Sequence, residues 1–287
     1  MYLDMYKIDG TINNDTEPCF SNPETYPRFQ EELQEFKDLL IELVYLNESK
    51  TFYKFGDGDY FFLRKEPVGS ATPGKRALSK GYDQINHEAF VSGAQLCDYY
   101  TCEIYPTNRA RFADVINRKV DYPAEFGYGL VTNKWLLQTF SGTIGLIGAN
   151  TKMNIIQNLM EAPQYQDYLG LEKFEDYISL PQKFACDDID ATEQMVAEQL
   201  KNSTSKIFLM GMGHVKSGLI HRLKKHTNAI FLDVGASIDA LAGIIDVNRP
   251  FAGDWTNYQI DEPELYEDVD FLAYDGQGKH IFLEVTN

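Results

Sequence analysis

The stretch “KIFLMGMGHVKSGLIHRLKKHTNAIFLDVGAS”, residues 206–237, shows the building plan of this chain in its clearest form. Its first segment, “KIFLMGMG”, is an apolar run that ends in glycines, which predicts a buried strand followed by a turn. The segment “HVKSGLIHRLKKH” then predicts a helix, and “NAIFLDVGAS” predicts a second buried strand. Two apolar strands joined through a helix predict parallel neighbours in a sheet, with the helix packed on one face.

The same alternation continues upstream. The segments “TFYKFG”, “CEIYP”, “GTIGLIGA” and “FEDYISLP” predict further strands, and helical segments separate them. One of these helices, “DATEQMVAEQLKN”, is expected to be capped by Asp190. Alternation of this kind predicts an α/β, Rossmann-like fold: a mainly parallel sheet with helices on both faces. A last strand, “KHIFLEV” (residues 279–285), is expected at the edge of the sheet.

The chain has no internal repeat and no low-complexity linker that would divide it. The opening residues are polar, and residues 1–25 are predicted to form an N-terminal arm. From there, Phe29, Leu33, Phe36 and Leu40 recur at helical spacing and predict an amphipathic helix. Residues 26–287 are therefore expected to form a single α/β domain.

Composition narrows the class of protein. The 287 residues are 44% hydrophobic and 24% charged, as in an ordinary globular chain, and the formal net charge is −17. Such an acidic chain is not expected to bind nucleic acid, and an anionic ligand would need local positive charge. No segment is long and apolar enough to span a bilayer, and no signal peptide is seen, so we expect a cytoplasmic protein. The four cysteines lack zinc-site spacing and are expected to be reduced.

The segment “KFGDGD”, residues 54–59, carries two acids directly after a predicted strand. In extended backbone Asp57 and Asp59 would point to one side, where two carboxylates repel unless a cation lies between them. Oxygen ligands suit Mn²⁺ or Mg²⁺, and Gly56 and Gly58 would let a ligand approach the backbone closely. A plain Asp-Gly turn with two solvated acids is the alternative interpretation.

Two further segments could bind phosphate. In “GMGHVKSG”, residues 211–218, a glycine turn leads into a helix, where Gly213, His214, Lys216 and Ser217 could contact a diphosphate. The spacing matches neither a P-loop nor a full GxGxxG motif, and glycines needed only for packing would explain it too. In “TPGKR”, Lys75 and Arg76 could form a phosphate clamp or lid, or a solvated basic loop.

The segment “IFLDVGASIDALAG”, residues 230–243, places acids at the end of another strand. It weakly resembles the glycine-rich first motif of adenosylmethionine-dependent methyltransferases, in which Asp233 and Gly235 would contact the cofactor. Asp239 and Asp246 are sheet-end carboxylates that could take or orient a proton.

Taken together, these segments resemble the GT-D glycosyltransferases, a family first described as a domain of unknown function. Members carry an arginine- or lysine-led FGDGE-type segment after an early strand, and “KFGDGD” occupies that place. Asp59 stands where the family has a glutamate. A glycine-rich strand–helix turn and a “DxG…D” segment follow in the family, similar to “GMGHVKSG” and “DVGASIDA” here. The resemblance covers most of residues 50–245.

The resemblance implies a GT-D-like fold and a hexosyl- or pentosyltransferase that uses a nucleotide-diphosphate sugar, most often UDP-linked, and a glycan or other hydroxyl acceptor. It implies that Asp57 and Asp59 position Mn²⁺ or Mg²⁺ against the donor, and that Gly213 and Lys216 hold its diphosphate. Asp239 would be the base that activates the acceptor, or a sugar-binding residue. A methyltransferase, a metal-dependent phosphohydrolase and a non-catalytic binding module stay open as alternatives, as does a homodimer.

Overall fold

The computed structural model describes residues 27–66, 77–244, 258–260 and 281–283. Seven strands form one sheet in the order β3-β2-β1-β7-β6-β4-β5, and every neighbouring pair is parallel. The strands are β1 (Lys50–Phe55), β2 (Tyr99–Cys102), β3 (Tyr122–Pro123), β4 (Ile144–Ala149), β5 (Tyr177–Leu180), β6 (Ile207–Gly211) and β7 (Ile230–Asp233).

Helices cover both faces of this sheet, which confirms the predicted α/β, Rossmann-like class. One face carries α1 (Phe29–Tyr45), α5 (Ala124–Thr132), α6 (Trp135–Thr139), α7 (Asn150–Leu159), α8 (Pro163–Leu169) and α11 (Ser237–Leu241). The other face carries α2 (Asp57–Leu63), α3 (His87–Gly93), α4 (Pro106–Val115), α9 (Ile189–Leu200) and α10 (Lys216–Leu223). Short 3₁₀ turns lie at Tyr82–Gln84 and Gly213–Val215.

The core consists of two apolar layers, one on each face of the sheet. Successive strand residues alternate between them: Phe52 packs under α1, whereas Tyr53 faces α10. Because both layers are covered by helices, the central strands β4, β6 and β7 consist almost entirely of apolar residues, which explains why they stand out as apolar runs in the sequence.

The strand order divides the sheet into two halves. Strands β1, β2 and β3 follow one another from the middle of the sheet to one edge, and the chain then crosses over to form β4 to β7 in the other half. The halves meet where β1 pairs with β7. In open parallel sheets such a junction leaves a crevice beyond the carboxyl ends of the strands, and ligands usually bind there.

Several local expectations differ from the structure. The strand predicted at “CEIYP” ends at Cys102, so most of that segment follows β2. The helix α9 is capped by Asp188, whose carboxylate accepts from the backbone N–H groups of Asp190 and Ala191. The predicted last strand is present as β9 (Ile281–Leu283), but it pairs with β8 (Tyr258–Ile260) and not with the edge of the main sheet.

Across the described part of the chain, no helix combines the length and apolar character needed to cross a membrane. The predicted N-terminal arm, residues 1–25, lies outside the described residues.

Candidate functional site

Three distant segments of the sequence meet at the carboxyl edge of the sheet through one buried ion-pair network. The Lys216 ammonium, at the start of α10, lies 2.9 Å from a carboxylate oxygen of Asp59 in α2 and 2.9 Å from one of Asp233 at the end of β7. It also donates to the carbonyl oxygen of Lys54 in β1. The network therefore joins β1, α2, β7 and α10 at the junction of the two halves of the sheet.

The start of α2 explains how Asp59 reaches this network. Gly56 is extended and caps the helix, and Asp57 is its first residue. Asp59 occupies the third helical position, where its carboxylate accepts from the Gly56 N–H at 2.8 Å, as in a capping box. This arrangement corrects the expectation of an extended pair: residues two apart on a helix face different directions, so the two carboxylates are not side by side.

Asp57 and Asp59 consequently differ in their environment. Asp59 is 4% exposed, and its carboxylate is already held by Lys216 and Gly56, so it does not fit the role of a direct metal ligand. Asp57 is exposed, and in the described residues its carboxylate accepts only from the N–H of Gly58. The described residues include no group of three or more His, Cys, Asp or Glu side chains that could hold a metal ion. Asp57 fits a cation that arrives with phosphate ligands of its own.

The network fixes the ionisation of its members. Burial alone would raise the pKa of Asp59, but Lys216 and then His214 outweigh it and lower the pKa to about 2. Burial alone would lower the pKa of Lys216, but Asp233 and Asp59 outweigh it and raise this pKa. Lys216 is therefore a permanent cation and Asp59 a permanent carboxylate, and the charge of Lys216 is balanced within the protein by its two carboxylate partners.

Asp233 is equally engaged. One of its oxygens accepts from Lys216 and from the backbone N–H of Lys54 at 3.3 Å, and the other accepts from the N–H of Gly235 at 3.0 Å. Both oxygens thus have partners within the protein, which disfavours the methyltransferase alternative, since that function requires this carboxylate to face a cofactor.

The other residues predicted on the glycine turn also pack within the fold. Ser217 is fully buried and shares a 2.8 Å hydrogen bond with the hydroxyl of Tyr53. His214 is 9% exposed and stacks on Phe62 with ring centroids 4.9 Å apart. A side chain on Gly58 would come within 3.0 Å of the His214 ring, so the absence of a side chain at position 58 permits this packing.

Two glycines and Asp239 complete the predicted set. Gly213 is exposed at a φ of +57°, with open space where a side chain would be. Asp239, on α11, is ion-paired with Lys152 at the start of α7, and the Asp239 side chain is 13% exposed. Gly56 borders the network directly. Lys75 and Arg76, with Asp246, lie outside the described residues.

Lys54 is a residue of this site that the sequence analysis did not assign a role. It is the penultimate residue of β1 and only 8% exposed. Its ammonium lies 4.8 Å from the ring centroid of Tyr128. Side chains placed on Gly56 and Gly235 would come within 3.5 and 3.4 Å of this ammonium, so the two glycines leave space around it. Its position between Tyr53 and Phe55, at the end of a predicted strand, is the sequence feature that could have indicated it.

Glu125 is a second such residue. It lies at the start of α5, just beyond β3, and is 1% exposed. Its carboxyl group accepts from the N–H of Ile104 at 3.0 Å through one oxygen, and the other oxygen is buried with no hydrogen-bond partner among the described residues. Burial raises its pKa to about 8, and the nearby Glu103 acts in the same direction. Glu125 is therefore mainly protonated at neutral pH.

Comparison with known proteins shows a similarity in structure and none in sequence family. No family model and no curated protein matches the chain. Among solved structures, the chain is similar to “A New Glycosyltransferase (DUF1792) from Streptococcus sanguinis”, with 12% sequence identity and a TM-score of 0.45. The similarity covers 86% of this chain and 97% of the other.

Proposed function

We propose that the protein is a glycosyltransferase that moves a hexosyl or pentosyl group from a nucleotide-diphosphate sugar, UDP-linked, to a hydroxyl group of a glycan or other acceptor. One observation carries this proposal. Asp59, Lys216 and Asp233 belong to the three segments on which the sequence resemblance to GT-D glycosyltransferases depends, and they are joined by two ion pairs of 2.9 Å.

The crevice beyond β1 and β7 is the proposed donor site. Gly56 and Gly235 are half-buried along it, and Asp57 and Gly213 are exposed at its mouth. Glycines let the phosphates of a donor approach the backbone closely. The ion-pair network below joins the ends of β1 and β7 to the start of α10 through Lys216, which holds the walls of the crevice together.

Asp57 is the proposed contact for a divalent cation, Mn²⁺ or Mg²⁺, that binds together with the donor diphosphate. When bound, such a cation supplies neutralising charge for the departing nucleotide. The role of Asp59 is different: it orients Lys216 and accepts from the N–H of the capping residue Gly56, and so positions Asp57 at the mouth of the crevice.

Asp239 stays the proposed residue on the acceptor side, as a base or a sugar contact. Its ion pair with Lys152 orients the carboxylate from a neighbouring helix.

Calorimetric titration of UDP into the protein, first with Mn²⁺ and then with EDTA, tests the donor and the cation together. We expect binding that EDTA weakens. Absence of binding under both conditions would contradict the proposed function, and titration with adenosylmethionine would then be the next experiment.

Replacing Asp57 by asparagine is expected to weaken metal-dependent UDP binding by about 10- to 100-fold, the usual loss when a metal site is deprived of a supporting group. The side chain is exposed, so the unfolding transition should stay close to that of the wild type. Asp83→Asn, at another exposed acid, is the matched control. Unchanged UDP affinity in the Asp57 variant would remove this residue from the donor site.

A further inference from the structure

Two lysines, Lys216 and Lys54, lie close together at this site, and they differ in their ion pairs. Lys216 has two carboxylates at 2.9 Å. For Lys54, no carboxylate of the described residues lies within the 4.0 Å that defines an ion pair, and its neighbours are the face of the Tyr128 ring and two glycines. Lys54 is thus a cation that is more than nine-tenths buried and lacks an anionic partner in the described part of the chain.

Such an arrangement is costly for the folded protein. A buried charge without a counter-ion loses hydration and receives no compensating interaction. Burial lowers the pKa of Lys54 and the nearby Lys216 lowers it further, whereas Glu103, Asp233 and Asp59 offset this only in part. The face of an aromatic ring attracts a cation, but more weakly than a carboxylate does. An anionic ligand bound beside Lys54 would offset this cost.

The position of the Lys54 ammonium indicates such a ligand. It lies at the carboxyl edge of β1, between the backbone of Gly56 on one side and Gly235 on the other. Because neither glycine has a side chain, the ammonium is flanked by space and not by a Cβ. The partner that fits is a small anion that enters from the mouth of the crevice between β1 and β7.

We propose that Lys54 binds a phosphate group, as the fixed positive charge of the crevice between β1 and β7. The further assignment of this phosphate to the diphosphate of a sugar donor rests on the proposed function. The bound phosphate is the anionic partner of Lys54, as Asp59 and Asp233 are the anionic partners of Lys216. Lys54 therefore takes over the diphosphate-binding role that the sequence analysis assigned to Lys216.

The test compares the binding of UDP, inorganic pyrophosphate and uridine by calorimetry, all in the presence of Mn²⁺. Lys54→Met keeps the length of the side chain and removes its charge. We expect it to weaken UDP and pyrophosphate binding by about 10- to 100-fold, as for the loss of one charge-assisted contact. Uridine, which has no phosphate, should bind both proteins alike. Lys50→Met, at the other end of the same strand, is the matched control and should bind UDP as the wild type does.

Stability measurements separate a binding role from a structural one. Removal of an unpaired buried cation should leave the urea midpoint of Lys54→Met equal to or higher than that of the wild type, whereas loss of a structural contact would lower it. Lys54→Arg, which retains the charge, should retain most of the phosphate binding.

The outcomes distinguish this inference from the proposed function. Wild-type affinity for UDP and pyrophosphate in Lys54→Met would overturn the role of Lys54 and leave the glycosyltransferase proposal intact. Pyrophosphate binding that depends on Lys54, without UDP binding by the wild type, would support the phosphate site and contradict the UDP donor.

Discussion

Replacing Lys216 by methionine is expected to lower the free energy of unfolding by about 3–5 kcal/mol, the usual cost of removing one partner from a buried ion pair. The substitution leaves Asp59 and Asp233 without their cation, at 4% and 3% exposure. It also removes the donor to the Lys54 carbonyl group. The loss should therefore spread over β1, α2 and β7, which all meet at this side chain.

Urea denaturation of the purified variant measures this effect. Lys201→Met is the control, because its ion pair with Glu198 is exposed on both sides and its removal should change stability by only about 0.5 kcal/mol or less. A Lys216→Met protein as stable as this control would contradict the buried network as the element that holds the site together.

Glu125→Gln is expected to remove a large pH dependence of stability. The pKa of Glu125 is near 4.5 in an unfolded chain and about 8 in the folded protein, because the carboxyl group is buried. The protonated form is thus preferred on folding, so its contribution to stability is complete below pH 4.5 and is lost as the pH rises through 8. The wild type should lose roughly 3–5 kcal/mol at this residue between pH 5 and pH 9.

The measurement is urea denaturation of wild type and Glu125→Gln at pH 5, 7 and 9. The glutamine is uncharged at every pH and can still accept from the N–H of Ile104, so the variant should gain on the wild type as the pH rises. Glu172→Gln, at an exposed position, should follow the wild type. Parallel pH profiles for wild type and Glu125→Gln would show that the carboxyl group finds a partner when it ionises.

The fold could be predicted largely from the sequence because a fully covered parallel sheet leaves a strong pattern. Its central strands, such as Ile207–Gly211 and Ile230–Asp233, are runs of mostly apolar residues, and they alternate with helical segments. The short strand Tyr122–Pro123 left no such pattern and was missed. The extended backbone predicted for Asp57 and Asp59 in “KFGDGD” was also wrong, because the sequence does not reveal that a helix begins at Asp57.

The site could be predicted only in part, because its chemistry depends on which charges pair. The sequence identified Asp59, Lys216 and Asp233 as residues of interest, but the pairing that takes Lys216 out of donor binding depends on the packing of α10 against β1. Lys54 and Glu125 were missed because burial of a charged residue cannot be recognised from its type. Their burial, and the partners that each lacks, become visible only in three dimensions.

The decisive measurement is the release of free nucleotide from a panel of nucleotide-diphosphate sugars, with Mn²⁺ present and water or a simple glycoside as acceptor. We predict that the wild type releases UDP from at least one UDP-sugar, and that Asp57→Asn and Lys54→Met each slow this release by about tenfold or more. If the protein binds UDP but releases nucleotide from no donor, this result would contradict transferase activity and indicate a binding module. Release of phosphate from a simple ester would instead indicate a phosphohydrolase.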